Sequence, residues 1–170
     1  MPCSTPSVHW DSLGYDKFTI GSFWAISIVA EVTLFSVSNA LVKRFGPIGL
    51  IVMGISGGVI RWIFMAQDPG FAVTSILQAV HAVSFAMVHL GTMHYICLAV
   101  PTGLRNSAQG LYAAISGGIG LSAAMRLSGM LYGELFGKTH LVMAAISLAA
   151  LSFAFALKRI NPTARAAADT

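Results

Sequence analysis

Five long apolar segments constrain the fold of this chain more than any other feature. They cover about residues 20–41, 48–65, 71–98, 107–131 and 141–157. About twenty apolar residues are enough for an α-helix to cross the hydrocarbon core of a bilayer. Inside lipid the backbone N–H and C=O groups must bond within their own segment, which a helix achieves. The sequence therefore predicts an all-α polytopic membrane bundle of about five transmembrane helices, numbered one to five here.

Composition and the short breaks between segments agree with this prediction. Of the 170 residues, 56% are hydrophobic and 9% are charged, whereas soluble domains carry about 25% charged residues. Proline or glycine punctuates the breaks "KRFGP", "QDPG", "AVPTGLRN" and "GELFGKTH". Because such connections are short, we expect consecutive helices to be antiparallel neighbours. The chain then divides into an exterior tail (1–19), the bundle (20–157) and a cytoplasmic tail (158–170).

Basic residues at the segment ends divide unequally between the two sides of the membrane. Two lie on the side of the N-terminus, Lys17 and Lys138. Six lie on the other side: Lys43, Arg44, Arg105, Lys158, Arg159 and Arg165. The side richer in Lys and Arg is the cytoplasmic side, so we expect a cytoplasmic C-terminus. This placement accounts for the net charge of +4, and no basic cluster with interleaved aromatic residues suggests a nucleic-acid partner.

Three charged residues interrupt the apolar segments: Glu31, Arg61 and, close to the outer end of helix four, Arg126. Glu31 lies about eleven residues into helix one, near mid-depth. A carboxyl group there is costly, so it should face the bundle interior and hold a partner or an exchangeable proton. Arg61 lies on helix two and is the natural counter-ion for Glu31. The alternatives are a carboxyl group that only fixes helix packing, and an arginine that extends toward the interface beside Trp62.

Helix three carries Gln78, His81 and His89 within its apolar sequence. His81 lies level with Glu31, and His89 is displaced from it by about 80° around the helix. Both imidazoles could line one wide cavity, where they would bind polar solutes or relay protons. Each could instead be satisfied by a neighbouring hydroxyl or carbonyl group. Their spacing does not suit a metal site, and we expect no metal, no cofactor and no catalytic constellation.

Small residues cluster in "MGISGG" on helix two and in "GLYAAISGGIGLSAA" on helix four. Such residues let helix backbones approach closely in lipid. The two clusters are therefore either packing faces or surfaces that move against another helix.

The order of these motifs resembles a known family. The glutamate in "VAEV", then "KRFG", "IRW", "LQAVHAVSFAMVHLGTMHYI" and "VPTGLRNSAQGLYAAISGGIG", resembles the C-terminal half of a major facilitator superfamily transporter. The phenylpropionate-permease and nucleoside-symporter-like branch is the most similar. The five segments would then correspond to family helices eight to twelve, and "HWDSLGYDKFTIG" to the end of a seventh helix that is otherwise lost.

The resemblance also implies roles for particular residues. In the family's sugar-proton symporters, helices eight, nine and ten carry a glutamate, an arginine and a histidine, which Glu31, Arg61 and His81 match. Lys43, Arg44 and Gly46 in "NALVKRFG" are similar to the family's cytoplasmic loop motif, although Lys43 stands in the place of an acidic residue. No acidic residue on helix three matches the second glutamate of those symporters.

The sequence thus predicts part of a secondary active transporter in a bacterial inner membrane, and not an enzyme. We expect proton-coupled symport of a small organic solute such as an aromatic acid, a sugar or a nucleoside. Substrate binding or proton coupling would involve Glu31, Arg61, Gln78, His81 and His89. The missing helices would come from a separate N-terminal half or a second copy. The alternative is a small membrane subunit, an assembly protein or an inactive fragment that associates through its helices.

Overall fold

The computed structural model describes residues 5–135 and 138–160, and its regular elements over these residues are all helices. Four of them, α2, α3, α4 and α7, are long and apolar enough to cross a membrane. The prediction of an all-α membrane bundle is confirmed. The helices are α1 (Thr5–Ser12), α2 (Lys17–Ser36), α3 (Ser38–Met65), α4 (Phe71–Ala99), α5 (Arg105–Ala113), α6 (Leu121–Leu135) and α7 (Thr139–Ile160).

Predicted helix four is helical but is not one continuous α-helix. A 3₁₀ turn at Thr102–Leu104 precedes α5, and a π-helical segment at Ala114–Gly120 joins α5 to α6. This segment reads "AISGGIG" and contains three glycines, which have a weak preference for the α-helix. The glycines therefore favour a local change of helical pitch within the predicted span.

Predicted helix one is shorter than expected. It ends at Ser36, and α3 begins at Ser38, so that Lys43 and Arg44 lie on a helix rather than in a loop. The chain then bends at Gly46, whose φ of 67° and ψ of 167° interrupt α3. Glycine adopts a positive φ without steric cost, and Pro47 next to it needs no backbone donor at the start of a helical segment.

The packing order differs from the predicted neighbour-to-neighbour arrangement. Helix α4 lies between α2 and α3, and α7 packs against α3. The expectation that α2 and α3 are direct neighbours is therefore wrong. The reason is the helical stretch 38–45, which advances about 12 Å, roughly one helix diameter, before the bend at Gly46.

Helices α3 and α4 approach closely at glycines. A Cβ atom added to Gly54 would lie 2.6 Å from the Ser84 carbonyl oxygen, and one added to Gly91 would lie 2.5 Å from that of Pro47. The small residues of predicted helix two thus form a packing face, as in other membrane bundles. By contrast, Cβ atoms added to Gly117 would meet no atom of the described residues within 4 Å.

The N-terminal segment forms a helix that packs on the bundle. Trp10 of α1 is 1% exposed and contacts a buried cluster with Phe23, Met65 and Leu77. This cluster connects α1, α2, α3 and α4 at one end of the bundle. Residues 1–4 of the predicted exterior tail and residues 161–170 of the predicted cytoplasmic tail lie outside the described residues.

Candidate functional site

Two cavities lie among the helices and share part of their lining. One has a volume of about 350 Å³ and the other about 300 Å³. Arg61, Trp62, His81 and Phe85 line both, so the cavities adjoin. The walls of the larger cavity are mostly aromatic or apolar. They also include Trp24 of α2, Met125 and Ser128 of α6, and His140 and Met143 of α7.

Arg61 is the most unusual side chain of this site. It is 2% exposed, its Nη2 donates to Gln78 Oε1 at 3.2 Å, and its Cζ lies 4.3 Å from the centroid of the Trp62 ring. Among the described residues, its Nε has no hydrogen-bond partner and no carboxylate lies within ion-pair distance of it. A buried cation without a counter-ion is costly, so this arrangement favours an anion from outside the described residues.

The expected ion pair between Glu31 and Arg61 is absent from the described structure, and that expectation is wrong. The packing order explains why. Glu31 lies on α2, and α4 separates α2 from α3. Gln78 lies on α4 and therefore reaches Arg61 first. The alternative of an arginine that extends to the interface is also wrong, because the guanidinium is buried beside Trp62.

His81 and Arg61 come together, as the sequence predicted. Both line the two cavities. The imidazole ring of His81 lies 6.4 Å from the Trp24 ring and 6.5 Å from the Phe85 ring, measured between centroids. An imidazole in this position can donate to a bound solute or exchange a proton with it.

Glu31 lies along the seam between α2 and α4. It follows Trp24 by seven residues and precedes Phe35 by four, which places all three on one face of α2. Trp24 contacts His81, and Phe35 contacts His89, so Glu31 lies at a depth between the two histidines. The carboxyl group is partly buried and forms no hydrogen bond or ion pair with the described side chains. It does not line either of the two cavities.

His89 lies apart from the two cavities. Its ring stacks on Phe85 at 6.1 Å and also contacts Phe35 at 6.3 Å and Tyr112 at 5.9 Å. Neither of these two cavities is lined by both His81 and His89. Two helical turns separate the histidines, and the Phe85 ring lies between them.

The candidate residues of the motif "NALVKRFG" are also remote from the two cavities. Lys43, Arg44 and Gly46 lie at the bend of α3, and the Arg44 guanidinium lies 5.5 Å from the Phe45 ring centroid. They form no part of the lining.

Sequence reasoning missed three side chains that shape the site. Trp24 and Trp62 line the larger cavity, and His140 stacks on Trp62 with ring centroids 5.6 Å apart. The seven-residue spacing from Trp24 to Glu31 could have indicated the first of these. His140 joins the site only because α7 packs against α3, and this contact cannot be predicted from the local sequence.

Comparisons with known proteins agree on one class. The model of the "MFS_1 like family" matches residues 6–154. The "Probable 3-phenylpropionic acid transporter" of Escherichia coli (strain K12) is 28% identical over 145 residues, which are 85% of this chain and 38% of that protein. The "Xanthosine permease" of the same organism is 28% identical over 110 residues, 62% of this chain and 26% of that protein.

The name of a third relative specifies a different solute. The "Maltose permease" of Geobacillus stearothermophilus is 23% identical over 108 residues, 64% of this chain and 27% of that protein. No solved structure matches the chain. The chain thus spans less than two fifths of the length of these relatives.

Proposed function

This chain belongs to the MFS_1-like family, a branch of the major facilitator superfamily, and we propose that it forms the solute-binding C-terminal part of a secondary active transporter. It serves membrane transport of a small organic solute. The observation that carries the proposal is the buried guanidinium of Arg61, which faces a cavity and has no carboxylate partner among the described residues. Such a charge is best explained by an anionic ligand.

An aromatic carboxylic acid fits this cavity better than the other two solute classes. The carboxylate of the solute would accept hydrogen bonds from Arg61, and its ring would contact the indoles of Trp24 and Trp62. A sugar requires a dense set of polar partners, whereas much of this lining is aromatic or apolar. A relative whose name specifies 3-phenylpropionic acid supports the same choice.

We further propose that Glu31 carries the symported proton. It is partly buried, has no described partner and lies between His81 and His89 along the seam of α2 and α4. A carboxyl group can carry one proton across a symport cycle, and the described spans α2, α3, α4 and α7 contain no other carboxyl group. His81 lies between this seam and the cavity and provides a route for the proton.

The uncovered face of predicted helix four suggests where the rest of a transporter would pack. Gly117 and Gly118 meet no described atom within reach of an added Cβ, and Ile115 and Ile119 nearby are exposed. We propose that this face contacts a separate N-terminal half. The same observation supports the rival function, a subunit that acts by helix association alone.

Ligand binding tests the proposal without requiring a complete transport path. Purified chain in detergent would be titrated with 3-phenylpropanoate while tryptophan fluorescence is recorded, since two indoles line the cavity. We expect saturable quenching by the acid and none by its neutral amide, by maltose or by xanthosine. Saturation by xanthosine or maltose alone would overturn the aromatic-acid assignment.

A matched pair of variants tests whether Arg61 binds the carboxylate of the solute. Arg61→Gln should abolish the response to 3-phenylpropanoate, because it removes the buried cation. Arg126→Gln makes the same change at an exposed arginine of α6 and should leave the response unchanged. If neither the unmodified chain nor either variant binds any of these solutes, the helix-association function replaces the proposal.

A further inference from the structure

A polar cluster ties α1 to two distant parts of the chain. His9 is 5% exposed, and its Nε2 lies 2.6 Å from Asp68 Oδ1 while its Nδ1 lies 3.0 Å from the Tyr132 hydroxyl. A carboxylate only accepts hydrogen bonds, so Nε2–H donates to Asp68. In the neutral imidazole the Nδ1 atom then accepts from Tyr132. The cluster thereby joins α1 to the α3–α4 connection and to α6.

Helix α1 also contacts two other walls of the larger cavity. The indole Nε1 of Trp24 donates to Ser7 Oγ at 3.1 Å. The His9 ring lies 5.3 Å from the His140 ring, centroid to centroid. Both Trp24 and His140 line the cavity of about 350 Å³. Helix α1 therefore bridges α2, α6 and α7 at one end of this cavity.

The solute-binding function does not account for these contacts. A buried imidazole is costly unless its nitrogens are bonded, and here both ring nitrogens are engaged with other parts of the chain. Asp68 moreover adopts a left-handed backbone with a φ of 50°, a conformation that is sterically unfavourable for an L-residue. A strained backbone conformation of this kind persists only where the surrounding contacts hold it in place.

We propose that α1 is a lid over this end of the cavity and that the hydrogen bonds of His9 to Asp68 and Tyr132 form the latch that holds it shut. This inference rests on the proposed function in treating the cavity as the solute site. The latch is made of a few hydrogen bonds near the surface, so loss of one bond should shift the balance between shut and open by severalfold. The buried Trp10 would keep the opened helix attached to the bundle.

Cysteine accessibility tests the lid. The full chain carrying Cys3→Ser, Cys97→Ser and Met143→Cys would be reconstituted in liposomes, and a membrane-impermeant maleimide would be supplied on both faces. Met143 lines the cavity one turn beyond His140. Tyr132→Phe removes the hydroxyl and keeps the ring, and we expect it to raise the labelling rate at position 143 about fivefold.

Asp68→Asn weakens the other hydrogen bond of the latch, which His9 Nε2 donates. It should therefore also raise the labelling rate at position 143. Tyr15→Phe makes the same chemical change as Tyr132→Phe at the same end of the bundle but outside the latch, and should have no effect. A second reporter, Ala154→Cys, lies on α7 about three turns beyond position 143, is 5% exposed and lines neither cavity, and its labelling should not change.

Two results would overturn the lid. One is an unchanged rate at position 143 in both the Tyr132→Phe and Asp68→Asn proteins. The other is an equal rise at positions 143 and 154, which would mean general loosening of the bundle. Labelling requires no solute, so a failure of the lid is distinguishable from a failure of aromatic-acid binding.

Discussion

The side chain that accepts a hydrogen bond from Arg61 is neutral. Gln78 is fully buried, and its Oε1 accepts from Arg61 while its Nε2 has no hydrogen-bond partner among the described residues. A glutamine leaves the positive charge of Arg61 uncompensated, whereas a glutamate of almost the same size would neutralise it. The site is thereby suited to a ligand that brings its own negative charge.

Gln78→Glu is accordingly expected to weaken binding of the anionic solute at Arg61. The new carboxylate would pair with Arg61 and compete with the carboxylate of 3-phenylpropanoate, so the Kd should rise at least about tenfold. Thermal stability in detergent should not fall, because a buried cation gains a counter-ion. Gln67→Glu makes the same change at an exposed glutamine of the α3–α4 connection and should affect neither quantity. An unchanged Kd for Gln78→Glu would show that the solute does not bind at Arg61.

Glu31→Gln is expected to uncouple proton binding from solute binding. In a weakly buffered solution with a pH indicator, binding of 3-phenylpropanoate to the unmodified chain should be accompanied by proton uptake. In symport the solute and the proton are bound in the same cycle, and the proposed carrier of the proton is Glu31. Glu31→Gln should bind the acid without this uptake.

The control for this measurement is Asp16, an exposed carboxylate at the start of α2. Hydrogen bonds from the side chain and the backbone of Thr19 lower the pKa of Asp16 below its usual range. Asp16 therefore stays ionised near neutral pH, and Asp16→Asn should leave proton uptake unchanged. Uptake that persists in the Glu31→Gln protein would assign the proton to another group, with His81 the nearest candidate in the cavity.

The residues of the site could be predicted only in part. A charged or titratable residue in an apolar segment is conspicuous, so Arg61, Gln78 and His81 were found from the sequence, and they meet in the structure. Pairing could not be predicted, because it depends on which helices are neighbours. Glu31 was assigned to Arg61 although α4 separates their helices.

At the scale of elements, the α3–α4 interface depends on the absence of side chains at defined positions. Gly54 lies against the backbone of Ser84 and Val88, and Gly91 lies against that of Pro47 and Ile51. Close backbone approach strengthens dispersion contacts, which are a main source of helix association in lipid. The same interface fixes Arg61 relative to Gln78, so its geometry determines the geometry of the anion site.

Gly54→Ala should therefore destabilise the bundle. The added Cβ would lie 2.6 Å from a backbone oxygen, and separating the helices should cost about 1–3 kcal/mol. Gly58→Ala, one turn further along α3, meets no atom within 4 Å and should be neutral or slightly stabilising. Thermal unfolding in detergent compares the two. Equal unfolding temperatures would contradict the close packing of α3 on α4.

The elements themselves were largely predictable, while their ends and interruptions were not. Apolar length identified α4 and α7 to within three residues of their observed bounds, and α3 only from the bend at Gly46 onward. The helical stretch 38–45 was missed because its polar residues and the following "GP" are typical of a loop. The π-helical segment was missed because glycine weakens an α-helix without indicating which helical pitch replaces it.

At the scale of the whole molecule, the contacts of His9 define one end of the bundle. Asp68, Tyr132 and His140 all meet it there, although α2 to α6 lie between His9 and His140 in the chain. Helices of twenty residues or more extend about 30 Å. The opposite ends of α2, α4 and α7, with the bend at Gly46, therefore lie on the other side of the bundle. The basic residues Lys43, Arg44 and Arg105 lie toward that end of the bundle, an arrangement that is compatible with the predicted orientation.

The final prediction is a cytoplasmic C-terminus, which follows from six basic residues on that side against two on the side of His9. Green fluorescent protein fused after Thr170 should fluoresce in bacterial cells, and alkaline phosphatase fused at the same position should be inactive, because each reporter works on only one side of the inner membrane. Changing Lys43, Arg44, Lys158 and Arg159 to glutamine would leave two basic residues on each side and should yield a mixed population. Active phosphatase on the unmodified chain would invert the orientation and place the lid of α1 on the cytoplasmic face.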